Sequence, residues 1–450
     1  MFEIFKNIPI AKYNCDFIDI RIEEIRNANI MYNNSELEDA HEITKLGAFI
    51  RIRLADKWYY SSLTDLSQID QTIQTMLKKK GLEPLQYKEK IMNYNCKERL
   101  INQDNLMVFQ PILSKKQLVE KILPILEGEK LIINHYMIYR DEYIKKYYIN
   151  SKGDQHVFDR SLASLVASYS LKEGDHIFST RFDQSAQYFD DFTGFDIRLK
   201  NDIEEAKRFI NAPTIEPGKY PVILSEEAAG IFAHESFGHK SEADFMLGDD
   251  SMKKEWEIGK KVGSDILSIV DWGDMPECRG FTPFDDDGNP AQKNYLIKNG
   301  ILRGRLHSED TAQILNEAVT GNARAVNFFY EPIVRMTNTY IEAGTDTFES
   351  LIEKTNNGFY IDSINHGSGL STFTLAVNRA WRIENGKITE PVKINMITGT
   401  VFQTLNDIDG LSNEVVMSSA TLGGCGKNEQ SPLPVSHGGP KVSVKEMMVS

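Results

Sequence analysis

YPVILSEEAAGIFAHESFGHKSEADF, residues 220–245, reads as a strand, YPVILS, that runs straight into a helix. The junction divides the chain by character. Immediately upstream, NAPTIEPGKYPVILS carries Pro213, Pro217 and Pro221 within nine residues, which marks a domain boundary. Downstream come glycine-punctuated strands. NYLIKNGILRGRL and RAWRIENGKITEPVKI hold Asn299-Gly300 and Asn385-Gly386, both hairpin turns. PIVRMTNTYIEAG reads as a further strand with helical material after it. Residues 218–450 therefore read as a mainly antiparallel β-domain that carries one important helix early on.

Upstream of the junction lies an α/β region, residues 1–212, with subregions of 1–95 and 96–212. FIDIRIEEI and GAFIRIRLADKWYYSS alternate with period two, which predicts short, half-buried antiparallel strands. LSQIDQTIQTMLKKKG has helical spacing and ends on Gly81. SKKQLVEKILPILEG predicts another helix. EYIKKYYINSKGDQHVF predicts strands about a turn at Lys152-Gly153-Asp154, and IEEAKRFINAP a helix stopped by Pro213. Without internal repeats or low-complexity segments, the fold class is α+β.

Of the 450 residues, 41% are apolar and 26% charged, an ordinary globular balance. The formal net charge of −14 gives no general attraction for nucleic acid or an anionic membrane. The short clusters Lys78-Lys79-Lys80 and Lys145-Lys146 read as solvated faces. No apolar run reaches the ~18 residues of a membrane span. MFEIFKNIPIAKYN lacks a signal-peptide pattern. Cys15, Cys96, Cys278 and Cys425 form no CxxC pair, which predicts reduced thiols and a cytoplasmic location.

Within the opening stretch, His234, Glu235 and His239 spell H-E-x-x-x-H, one residue longer than the zinc-peptidase pattern H-E-x-x-H. Histidines four apart on a helix differ by ~40° and share one metal; five apart they differ by ~140°. The longer spacing therefore predicts a local distortion, with Gly238 as the place for a bulge. The plain reading is a solvated helix face.

A catalytic zinc needs a third ligand and an open position. TLGGCGKNEQSPLPVSHGGP, residues 421–440, offers Cys425 among glycines. His437 competes in the same segment, with His307 and His366 further off, and spacing does not rank them. Cys278 has little to recommend it. FDDDGNP, residues 284–290, lacks the alternating carboxylates of an EF-hand and reads as a turn. GKKVGSD, residues 259–265, does not follow the P-loop order.

Taken together, HESFGHKSEADF, GFTPFDDDGNPAQKNYLIKNGIL, VRMTNTYIEAG, RAWRIENGKITEPVK and GGCGKNEQSPLPVSHGGP resemble the TldD/PmbA metallopeptidase family, historically labelled modulators of DNA gyrase. DFIDIRIEEIRNANIMYNNSELEDAHEITKLGAFIRIRL resembles its N-terminal part, so the resemblance spans nearly the whole chain. It implies an N-terminal α/β region and a C-terminal barrel-like β domain. It also implies zinc on His234, His239 and Cys425, with Glu235 as general base. The implied substrates are peptides or unstructured polypeptides. The implied assembly is a homodimer, or a heterodimer with a metal-free paralogue. His366 stands where the family pattern has a small or polar residue. Arg335, Tyr340, His366 and His437 are candidate oxyanion partners. The rival expectation is a non-catalytic peptide- or protein-binding regulatory subunit. A His₂Cys set favours zinc over iron or manganese.

Overall fold

The computed structural model describes residues 8, 10–13, 15–55, 57–79 and 95–450. Gly81, Lys80 and most of the stretch read for a signal peptide lie outside them. The first half is organised by a sheet of β1 (Phe17–Asn33), β2 (Glu36–Leu54), β3 (Lys57–Leu63), β4 (Asn95–Arg99), β5 (Ile132–Asn150), β6 (Asp154–Glu173) and β7 (His176–Ala186). Its order is β3-β2-β1-β5-β6-β4, with β7 also on β6. β1 pairs with β5 from Asp19 to Asn33, so the two subregions share one sheet.

These strands are long rather than short, 17 residues in β1 and 20 in β6. Such length lets one sheet serve two apolar clusters. One end packs Ile20, Ile22 and Ile50 against Ile73 and Leu77 of α1 (Ile69–Lys78). The other packs Ile30, Met137 and Leu165 under α2 (Ile112–Glu120), α3 (Leu123–Glu127) and α4 (Phe195–Lys207). α2 and α3 were expected as one helix. Pro124 divides them, because it has no N–H for the residue four before it; it sits instead in the first turn of α3.

The expectation of half-buried strands also needs correction. Phe17–Glu23 is buried on both faces, and Asp19, Arg21 and Glu23 are 2%, 2% and 0% exposed. Alternation placed these polar residues toward water. The second half of the chain covers them instead, and its aspartates meet Arg21 and the cations Lys146 and Arg51 that pair with Glu23 and Asp19. Arg21 meets Asp286 at 3.2 Å, Lys146 meets Asp286 at 2.8 Å and Arg51 meets Asp287 at 2.7 Å. FDDDGNP is indeed a turn, with Asp285 N–H bonded to Asn289 O and Gly288 at φ +87°. It is a buried one that ties the halves together.

The second half contains β8 (Gly218–Leu224), β9 (Ile269–Trp272), β10 (Lys293–Lys298), β11 (Ile301–Leu302), β12 (Ala323–Arg324), β13 (Ile333–Val334), β14 (Asn338–Ile341), β15 (Gly358–Gly369), β16 (Thr372–Glu384), β17 (Lys387–Val392), β18 (Met396–Thr400), β19 (Ile408–Leu411), β20 (Val416–Ser418), β21 (Cys425–Lys427), β22 (Gln430–Leu433), β23 (Ser436–Gly439) and β24 (Val442–Val449). β8, β24, β18, β16 and β15 close on themselves into a five-stranded barrel; β8–β15 is its parallel pair. A second sheet runs β11-β10-β9-β14-β23-β20. The two predicted hairpins are present, with Asn299, Gly300, Asn385 and Gly386 all at positive φ, the conformation a two-residue turn of this hand requires.

α5 (Glu226–Phe232) follows β8 directly and lies between barrel and second sheet. Its Phe232 shares one apolar cluster with Ile361 and Leu375 of the barrel and Ile341 of the second sheet. The functional stretch is thus held from both sides.

Candidate metal centre

Ser225 starts α5 by accepting the Ala228 N–H at 3.2 Å, an ordinary N-cap. The helix then changes winding. Ala233–Gly238 forms a π turn, closed by a bond from His239 N–H to His234 O. An i→i+5 turn brings residues five apart to one side, as H-E-x-x-x-H requires. A short 3₁₀ turn, His239–Ser241, follows. The distortion lies where the spacing placed it, but Gly238 has a different part in it. Its φ is an ordinary −57°; a Cβ there would fall 2.0 Å from Met336 Sδ. Gly238 is required by close packing, not by backbone freedom.

Cys425 arrives from the far end of the chain. Gly423 and Gly424, at φ +80° and +146°, turn the backbone into β21. Fully buried Arg335 then fixes the strand by donating to the carbonyls of Cys425 (2.8 Å) and Gln430 (3.1 Å). Lys427 reaches back to Glu242 at 3.1 Å and to the Val334 carbonyl at 2.9 Å.

His234, His239 and Cys425 each bring a ligand atom within 4.8 Å of the others. Cys425 Sγ lies 3.4 Å from Nε2 of His239, and the two imidazoles are 5.1 Å apart between centroids. Nδ1 of His239 faces Glu242 at 3.3 Å, which leaves Nε2 toward the cluster. This is the outer carboxylate that commonly orients a metal-binding histidine. Glu242 is fully buried and was not singled out in the sequence; its position three after His239 was the signal available.

The electrostatics follow from this packing. Burial pushes the Cys425 thiol up, but the neighbouring His234 and His239 outweigh it and bring it down to about 5. Burial pushes His239 down, but Cys425 and Glu242 outweigh that and lift it to about 10. A thiolate and two imidazoles around one point favour positive charge at their centre. Donor type, number and spacing fit a metal ion of zinc's preferences. By contrast, burial drives the thiol of Cys278 up to about 11.

The cluster opens on a cavity of about 220 Å³ lined by His234, Glu235, Cys425, His366 and His437. Glu235 rests against Gly367 of β15, where an added Cβ would lie 3.2 Å from its Cγ. Arg181 and Asp183 of β7 and Glu227 of α5 complete the far wall. Burial raises Glu227 to about 7, opposed by Arg181 and assisted by Asp183 and Asp362. Burial, with the nearby His234 and Arg181, lowers His437 to about 3.

The other candidates sort by location. His366 is an exposed residue on the cavity wall. His307 is bonded to Thr311 and Glu317 elsewhere. Arg335 is committed to backbone carbonyls, and Tyr340 faces Lys293 and Glu342 rather than the cavity. Among the described residues, no helix is long and apolar enough to cross a membrane.

Comparison with known proteins agrees in kind. The description "PmbA/TldA metallopeptidase C-terminal domain" matches residues 217–450, and "PmbA/TldA metallopeptidase domain 1" matches residues 18–79. A metalloprotease of Synechocystis sp. is 30% identical over 98% of this chain and 96% of its own. The zinc metalloprotease TldD homolog of Saccharolobus solfataricus is 35% identical over 69% of this chain and 70% of its own. The structure of TldE from Thermococcus kodakarensis superposes with a TM-score of 0.78 over 97% of both chains at 16% identity, a likeness of fold alone.

Proposed function

The chain belongs to the PmbA/TldD metallopeptidase family, and from that premise we propose that it is a zinc peptidase with Glu235 as its general base. One observation carries the reading: His234, His239 and Cys425 converge on a single point, and Glu235 lines the cavity onto which that point opens. A zinc ion held there supplies Lewis acidity to the scissile carbonyl and a nucleophile from water at neutral pH. Glu235 takes the proton of the attacking water and passes it to the leaving amine nitrogen. Glu242 keeps His239 in the tautomer that directs Nε2 inward. Arg335 and Lys427 hold Cys425 at its distance.

The substrate is a peptide or unstructured polypeptide bound extended. β7 and β20 are both edge strands, and Arg181, Asp183 and Ser418 from them line the cavity. A strand-like peptide laid along such an edge bonds through its main chain. The family reading extends to a dimer, either of this chain or with a metal-free paralogue; light scattering on the purified chain tests the first. The four free thiols agree with a reducing, cytoplasmic setting.

The test is elemental analysis beside a peptidase assay on an unstructured polypeptide. One zinc per chain, lost in Cys425→Ser, with hydrolysis lost in Glu235→Ala, is the expected result. A metal-free chain that binds polypeptide without cutting it supports the binding-subunit reading instead.

A further inference from the structure

Two buried ring nitrogens beside the centre have no hydrogen-bond partner, Nδ1 of His234 and Nε2 of His437. They lie on elements pressed into direct contact. A Cβ on Gly230 would fall 2.5 Å from Gly438 N and 3.0 Å from the carbonyl carbon of His437, so α5 rests on the backbone of β23. One turn beyond Gly230, the His234 ring lies 6.2 Å from that of His437, centroid to centroid, at an interplanar angle of 60°. β23 is itself paired on both sides, with Thr339 and Ser418 opposite His437, so its place is fixed by the sheet.

A metal-binding imidazole ordinarily gives its second N–H to an acceptor, which sets its tautomer and its aim. Glu242 does this for His239. Nδ1 of His234 has no such partner. Ser236 Oγ is also unpartnered, but two residues along a helix points to the opposite side. The geometry points to His437 as the positioning residue for His234: its unprotonated Nε2 accepts the hydrogen bond that His234 Nδ1–H gives when the metal is bound. His437 thus acts through His234 and does not touch the ion. The pairing also gives the two histidine ligands unlike supports, a carboxylate behind His239 and a neutral ring behind His234. The inference rests on the zinc reading above.

Zinc affinity, measured by competition with a chromophoric chelator, separates the outcomes. His437→Phe keeps a ring but removes the acceptor, and should weaken zinc binding by roughly 10- to 100-fold. His437→Gln restores an acceptor oxygen and should recover most of that loss. Phe binding zinc as tightly as the native chain, or a folded Gln variant as weak as Phe, overturns the assignment. Should the Phe variant not fold, ¹⁵N spectra of the native zinc-loaded chain decide: Nε2 of His437 is expected to carry no proton, and a proton there overturns it. A native chain that binds no zinc removes the zinc reading and this one with it. Native binding left unchanged in a folded Phe variant removes this one alone.

Discussion

Two buried charged clusters stand in contrast. Asp285, Asp286 and Asp287 fill one; His234, His239 and Cys425 form the other. In the first, each carboxylate meets a cation or backbone N–H groups. Asp285 accepts backbone N–H groups from Asp287, Asn289 and Ala323, Asp286 meets Arg21, Lys146 and the Ala325 N–H, and Asp287 meets Arg51 and the Glu309 N–H. In the second, donor atoms are turned toward one another and a cavity, and two ring nitrogens nearby have no partner. Burial of charge is common to both. What differs is whether the protein's own groups complete the set: a completed set fastens one half of the molecule to the other, and an incomplete one fits a ligand.

The contrast breaks most sharply at Glu235. Glu235→Ala should lower kcat/KM by roughly 100- to 10,000-fold while zinc content is unchanged, the span of a lost general base. Equal loss of zinc in that variant would count against the role given to Glu235. Asp286→Ala probes the completed cluster. It leaves Arg21 and Lys146 to share Glu23 and should cost about 1–3 kcal/mol by denaturant unfolding, with zinc affinity of the folded fraction retained. Loss of zinc binding there would show that the two clusters are not independent.

Gly230→Ala sharpens the comparison from the packing side. Its methyl meets the backbone of β23, and overpacking of this kind costs about 1–3 kcal/mol. Because α5 runs directly into the π turn that holds His234, zinc binding should weaken in parallel; a loss of stability with native zinc affinity would separate the two.

The smallest effect is expected from Glu227→Gln. The folded chain raises Glu227 from 4.5 to about 7, so the neutral acid is the form that folding prefers. Its contribution is fully present below about pH 4.5 and is lost as pH rises through 7. The variant should therefore gain on the native chain in Tm between pH 5 and pH 8. With 31% of the side chain exposed, water screens the difference and keeps it modest. A Tm difference that does not change with pH would place Glu227 in a more aqueous setting than the structure gives it.

Local chemistry in the sequence was enough for a good part of this protein. Asn-Gly pairs specify their hairpins because only residues tolerant of positive φ make such turns. Period-two alternation identified β1 and β2. The five-residue histidine spacing called for a distorted helix, since a regular one cannot present both rings to one ion. Tertiary structure decided the rest, because it depends on residues far apart in the chain. Whether Cys425, His437, His307 or His366 approaches His234 is set by how β21 and β23 return to α5, which spacing does not encode. The polar face of β1 is buried because Asp286 and Asp287 come to cover it, and no pattern within β1 contains that fact. Gly238 reads as the place for a bulge in the sequence, yet Met336, almost a hundred residues later, is what requires it. Residue type and periodicity act within a few residues and are legible there; burial, pairing and the closing of a ligand set are properties of the whole packed chain.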